Sequence, residues 1–392
     1  MARVLITGAR APVALHLARL FHAAGHAVLL ADSQRYPIAA ATRMKQAYRR
    51  LPSPRGNVAA YAAAVSELIA EEGIDLVVPT CEEVFFLAAA RDLGGEAIPL
   101  FAPDFGTLAA AHHKGQFAAD GADLGGGPPP TQVVTSAAEL RALGYERDRV
   151  LKPAWSRFAS RVLVRPTPDA TAAVVPLPTD PWVVQTYLPG EEICGYGVAV
   201  GGRLLAFSAY RPRYRAGAGA GIAFAPADDS AALQFATAYA HRTGWTGQLS
   251  FDYRRDAQGT LHAIECNPRA VSGVHFFGPG DGLAEAMLEG RPAMPTETRT
   301  LAAPLAMLVY GLGEALRRRG VRDWWRDFRG MADLFAFPGD RGFVLPQLLA
   351  LAEIASVAVR SGKSLQQAAT DDIEWNGEPL GQAGLPEALK AT

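Results

Sequence analysis

The residues with the clearest chemistry lie in SFDYRRDAQGTLHAIECNPR, Ser250 to Arg269. Two β-patterned runs flank Asp256-Ala257-Gln258-Gly259, which reads as a hairpin turn. With Asp256 facing Gly259, Asp252 falls opposite Ala263, and Glu265 and Asn267 follow on the same sheet face. Asp252 and Glu265 are then diagonal neighbours at roughly 7–8 Å, and the other face carries Phe251, Tyr253, His262 and Ile264. Two carboxylates and an amide oxygen on one face repel unless a cation lies between them, and such hard oxygen donors suit magnesium carrying phosphates. The parity rests on turn length, because a three-residue loop would put the acids on opposite faces. Spacing alone favours two solvated acids on an exposed sheet.

The elements that must position this hairpin fall into three stretches. In the first hundred residues, Arg3 to Thr7, Ala27 to Ala31, LVVP at Leu76 to Pro79 and IPLF at Ile98 to Phe101 read as strands. Helical patterns at Val13 to Ala24 and Val58 to Glu72 separate them, which predicts a parallel sheet covered by helices. GADLGGGPPP, Gly121 to Pro130, cannot continue a helix and is a linker. Beyond it come short strands with tight turns and a helix at Ala231 to Arg242, an α+β pattern with antiparallel pairing. From about Thr300 the pattern is helical.

Asp252 followed by Glu265-Cys266-Asn267-Pro268-Arg269 resembles the late signature of the ATP-grasp superfamily, an acid on one strand and Glu-x-Asn on the next. The resemblance implies that Asp252, Glu265 and Asn267 hold Mg2+, with Mn2+ as a substitute, bridging the phosphates of ATP. Three earlier segments agree in family order. AHHKGQF offers Lys114 as the first nucleotide-binding lysine, and LKPAWSRFASRV offers Lys152 before the phosphate-covering loop. VVQTYLPGEEICGYGV is similar to the hinge strand that holds adenine. There Gln185 would sit beside the base, the Tyr187 and Leu188 backbone would read its edge, and Glu192 would take the ribose hydroxyls. The family's covering loop is rich in glycine, whereas PAWSRFASRV has none; Ser156 and Ser160 would donate to phosphate, with Arg157 or Arg161 adding charge. Arg269 and Lys152 would carry the catalytic charge stabilisation.

The architecture so implied is an α/β N-terminal domain, an α+β ATP-grasp domain and a helical C-terminal extension. Its boundaries are residues 1–105, residues 106–295 (small lobe 106–180, larger lobe 181–295) and residues 296–392. The implied activity is an ADP-forming ligase that activates a carboxylate as an acyl-phosphate and joins it to an amine, both small molecules. A regulatory ATP-binding protein and a small-molecule kinase are the alternatives.

Other segments carry weaker signals. LITGARAPVALHLARLF, with Asp32 ending the second strand, has only Gly8 of a dinucleotide fingerprint and reads as a structural turn. Thr80 and Glu83 form a capping-box pattern; contact of Glu82 or Glu83 with an acceptor amine is the lesser reading. RPRYR at Arg211 to Arg215 offers an arginine to a phosphate or carboxylate, or is a surface loop. Ser272, Gly273 and His275 could line the acceptor pocket, although His275 is more simply a packing residue.

Bulk composition narrows the class. At 392 residues more than one core is expected. A net charge of −1 gives no pull toward nucleic acid or acidic membranes. Three scattered cysteines argue against a disulfide framework and fit a reducing cytoplasm. The apolar run FVLPQLLALAEIASVAV reads as packed helix, broken by Pro346 and Glu353, and not as a membrane span. The tail DDIEWNGE could lid the cleft, support it or join a homodimer.

Overall fold

The computed structural model describes residues 1–156, 161–216, 221–317 and 320–380. Ser160 and Arg157 lie outside them, as do Arg318 and Arg319.

The first stretch folds as read. Strands Arg3–Thr7, Ala27–Asp32 and Leu76–Val78 pair in parallel, joined by a short strand Ala47–Arg50 that the sequence pattern did not reveal. Ile98 to Phe101 contributes only an isolated bridge, Leu100 to Val77. Helices Pro12–Ala23 and Val58–Glu72 cover the sheet. Asn57 caps the second by accepting from the Ala60 N–H, and Gly73 ends it in the left-handed conformation.

After the linker, strands Thr131–Val134, Trp182–Thr186, Arg149–Pro153 and Leu163–Val164 make a small antiparallel sheet. The large sheet has seven strands in the order Leu261–Asn267, Gly247–Arg255, Glu192–Val200, Arg203–Arg215, Gly221–Ala227, Leu301–Ala302 and Ala332–Asp333. Its last two members come from the stretch beyond Thr300, so that stretch is helical with two sheet-edge strands rather than helical throughout. Helix Ser230–Thr243 buries Phe235, Ala236 and Tyr239 in the same core cluster as Phe251 and Tyr253 of the neighbouring strand. All three cysteines are buried, and none of them forms a disulfide.

The run after Phe343 departs from expectation. It forms one helix, Val344–Ser361, of 18 residues, and only Ala358 is buried. Val344, Leu345 and Val359 are 65%, 64% and 83% exposed, so the helix is not packed as its apolar sequence implied. By length and composition it is apolar enough to cross a membrane. Glu353, the charge that interrupts it, accepts from the Arg35 and Tyr36 N–H groups at 2.8 Å and ties it to the N-terminal sheet.

Candidate active site

The hairpin brings its acids together by a route different from the expected one. The loop is Ala257-Gln258-Gly259, with Asp256 N–H bonded to Thr260 O at 2.9 Å and Gly259 at φ +85°. That three-residue loop alone would set the two acids on opposite faces. A bulge between Asp252/Glu265 and Tyr253/Ala263 inserts Ile264 as an extra residue and restores the parity. Asp252 therefore sits directly opposite Glu265, not Ala263. The core face carries Phe251, Tyr253, Leu261, Ala263 and Cys266, all buried; His262 and Ile264 are only half-buried and do not belong to it.

Asn267 lies two pairs further on, on the same face, and donates from Nδ2 to Asp252 Oδ2 at 3.2 Å, while its Oδ1 accepts from Arg269 Nη2 at 3.1 Å. Lys152, on the small-lobe strand, crosses to the hairpin: its Nζ donates to the carbonyl of the bulged Ile264 at 3.2 Å and lies 3.8 Å from Glu265 Oε2. Lys114 starts the helix Lys114–Gly121, capped by the His113 ring, and its ammonium donates to Ser156 O. Both lysines are 4% exposed.

Charge follows geometry. Burial, then the neighbouring Glu265, pushes the Asp252 carboxyl up to about 7. Burial opposes the Glu265 charge as well, but the Lys114 and Lys152 ammoniums outweigh it and hold Glu265 well below the usual carboxylate range. Burial also brings Lys114 down to about 8, and it lowers Lys152. Two carboxylates, one strained toward neutrality, facing two desolvated ammoniums make a site that gains from a cation and an anion arriving together. No group of three or more His, Cys, Asp or Glu with metal-holding geometry occurs among the described residues. The set Asp252, Glu265 and Asn267 instead offers two carboxylates and an amide, which fits magnesium sharing its remaining ligands with phosphate and water. Asn267 must rotate its amide to present Oδ1, which now faces Arg269.

The segment from Gln185 to Glu192 is largely engaged within the protein. Gln185 is buried and donates to Thr131 Oγ1 at 2.9 Å. The Tyr187 N–H is taken by Asp148 O at 3.0 Å, so it is not available to a base; among the described residues the Leu188 N–H has no backbone hydrogen-bond partner. Glu192 is held by Arg215 and, at 3.7 Å, by Arg254. Ser156 does not face outward as a phosphate donor, since its hydroxyl and its N–H both return to Pro153 O, at 3.2 and 3.4 Å. Arg161 does not reach the cleft either: it pairs with Asp180 at 2.7 Å and lies over the Trp182 ring. Ser160 cannot be placed, as it is outside the described residues. Arg211 is paired with Glu191.

Glu82 and Glu83 separate in role. Glu83 accepts from Thr7 Oγ1, Thr80 N and Cys81 N at 2.8, 3.0 and 3.2 Å and is structural, while Thr80 Oγ1 turns to Thr7 O instead of completing a capping box. Glu82 points the other way, 3.9 Å from Arg269 Nε. His275 is buried beside His16 with ring centroids 4.8 Å apart, a packing position.

No protein-family model and no curated sequence matches the chain. Its fold does match solved structures. An L-amino acid ligase from Bacillus licheniformis aligns with TM-score 0.52 and 16% identity over 73% of this chain and 69% of that one. The N5-carboxyaminoimidazole synthetase of Staphylococcus aureus complexed with ADP aligns with TM-score 0.61 and 12% identity over 80% and 86%. The biotin carboxylase domain dimer of Hydrogenobacter thermophilus 2-oxoglutarate carboxylase, in complex with MgADP, ADP and bicarbonate, aligns with TM-score 0.54 and 14% identity over 72% and 66%. At such identities the likeness is one of fold.

Proposed function

We propose that the chain, which shares its fold with these structures, is an ADP-forming ligase of the ATP-grasp type that activates a small carboxylate with ATP and joins it to an amine. The observation that carries the proposal is the meeting of Lys114 and Lys152 with the Asp252–Glu265–Asn267 face, with Arg269 directly behind it. In this reading the Leu188 N–H reads the adenine edge beside Gln185, and Glu192 takes the ribose hydroxyls. The two lysines neutralise the phosphates, a role that suits desolvated ammoniums. A magnesium ion on Asp252, Glu265 and Asn267 would neutralise charge as the γ-phosphoryl group moves to the substrate carboxylate. Arg269 then steadies the acyl-phosphate while the amine displaces phosphate.

The test is ADP release across pairs of amino acids and small acids, with hydroxylamine added to trap an acyl-phosphate as hydroxamate. Acid-dependent ADP release with hydroxamate formation is expected. Asp252→Asn or Glu265→Gln should lower the rate at least about 100-fold. Release stimulated by hydroxyl compounds without hydroxamate would make the chain a kinase, and tight ADP binding with no stimulated release would make it a nucleotide sensor.

A further inference from the structure

The carboxyl ends of the N-terminal strands lead into three turns, at Gly8 to Arg10, Asp32 to Ser33 and Thr80 to Glu82. In an open parallel sheet the crevice outside these ends is where a nucleotide or similar ligand sits, with the acid ending the second strand on its ribose. Here a distant part of the same chain lies there. Arg10 is bonded to Asp32 and to Asp372, each at 2.6 Å, and donates to Ala369 O at 3.0 Å. The Arg55 N–H donates to Asp372 O at 3.0 Å, and Ser33 bonds the Asp372 carboxylate. Asp32, with 1% of its side chain exposed, is thus committed to Arg10 and not to a ligand.

Three residues on, Trp375 is fully buried among Phe85, Phe105 and Trp155, with ring centroids 4.7, 5.3 and 5.0 Å away. Its backbone N–H reaches Glu82 Oε2 at 3.4 Å and its indole N–H donates to Glu378 O at 2.7 Å. Gly377 has φ +86°, and a Cβ there would lie 2.6 Å from the Trp155 ring. Only glycine lets the backbone come this close, so the contact is built in. Trp155 stands just ahead of the covering loop and Glu82 faces Arg269, so Trp375 touches both sides of the site.

We propose that Thr370 to Glu378 is a strap that fills the ligand crevice of the N-terminal sheet. The domain then binds neither a dinucleotide nor a sugar phosphate, and Trp375, buried beneath the acceptor site, props Trp155 and Glu82 beside Arg269. Trp375 is a positioning residue in this scheme. The acceptor site, but not the filled crevice, rests on the ligase reading.

Two measurements on the full chain test it. In the first, Mg·ADP saturates the cleft, NAD+ and ribose 5-phosphate are offered by equilibrium dialysis, and amide exchange is followed at residues 371–378. No binding is expected, with the strap as protected as the sheet; binding of either probe, or strap amides exchanging as fast as an unfolded tail, overturns the proposal. In the second, Trp375→Ala should raise the acceptor KM by about tenfold and leave the KM for ATP within about twofold, and Trp375→Phe should restore most of the loss. An unchanged acceptor KM, or both KM values rising together, overturns the positioning role of Trp375. If no acid stimulates ADP release, the ligase reading fails while the dialysis and exchange arm still decides the strap.

Discussion

Asp252 and Glu265 show how one pair of like residues can be driven apart in character by its surroundings. Both are carboxylates on adjacent strands, yet the lysines reach Glu265, and Asp252 is left facing another acid. Removing Lys152 takes away a cation beside Glu265 that, in the proposed function, the phosphates would share. Lys152→Met should weaken Mg·ADP binding by about 10- to 100-fold, measured by titration calorimetry, since a charge-assisted contact is worth roughly 1.5–3 kcal/mol. Elsewhere, His16 is held neutral: its Nε2–H donates to Phe277 O at 2.8 Å, and burial lowers its pKa from 6.5 to about 4. Folding therefore releases a proton between those values. The stability this residue contributes is complete above pH 6.5 and is lost as pH falls toward 4, by about 3 kcal/mol at most. Denaturant melts at pH 7 and pH 5 should show the loss, and His16→Gln should flatten the difference.

At the scale of elements, the site depends on a hairpin whose register is corrected by a bulge and on a turn packed against the sheet. The 3-10 turn Ser272–Phe276 presses Gly273 onto the neighbouring strands, where a Cβ would lie 2.4 Å from Tyr196 Cβ and 2.6 Å from Ser208 Oγ. Gly273→Ala should cost about 1–3 kcal/mol by overpacking, read as a lower urea midpoint with an unchanged slope. The same turn follows Arg269, so the strain would reach the site through the backbone. The acidic hairpin and the lysine-bearing segments were legible as short motifs because each is a local run with a fixed spacing. The bulge at Ile264 was not, because an extra residue leaves no mark in an alternating pattern whose two faces are both partly polar.

At the scale of the whole molecule, the stretch beyond Thr300 is a brace across the other units. Asp340 accepts from buried Arg19 at 2.8 Å, from Thr42 Oγ1 at 2.5 Å and from the Arg43 N–H at 3.3 Å. Asp340→Ala strands the Arg19 guanidinium in the core and should cost about 3–5 kcal/mol. Chemical denaturation of the single variant and of Arg19→Met/Asp340→Leu checks this; the double variant should recover much of the loss, as an apolar pair leaves no unpaired charge. The dinucleotide-like turn at Gly8 belongs to this scale too. Gly8 has φ +70° and a Cβ there would sit 2.5 Å from Thr80 Oγ1, which makes it the structural turn its lone glycine suggested.

What the sequence determined by itself were the features encoded in consecutive residues: the parallel βαβ opening, the linker, the antiparallel lobes, and the acidic hairpin with its Glu-x-Asn-Pro-Arg run. Their order along the chain carried the resemblance to a nucleotide-binding fold. Tertiary structure alone decided which acid meets Lys152, which of the Tyr187 and Leu188 amides is already bonded within the protein, and where DDIEWNGE lies. Those outcomes depend on side chains and amides far apart in sequence competing for partners, as Tyr187 N–H takes Asp148 O and Arg10 is shared by Asp32 and Asp372. Periodicity and spacing record only what a residue does to its neighbours along the chain, so that competition leaves no trace in them.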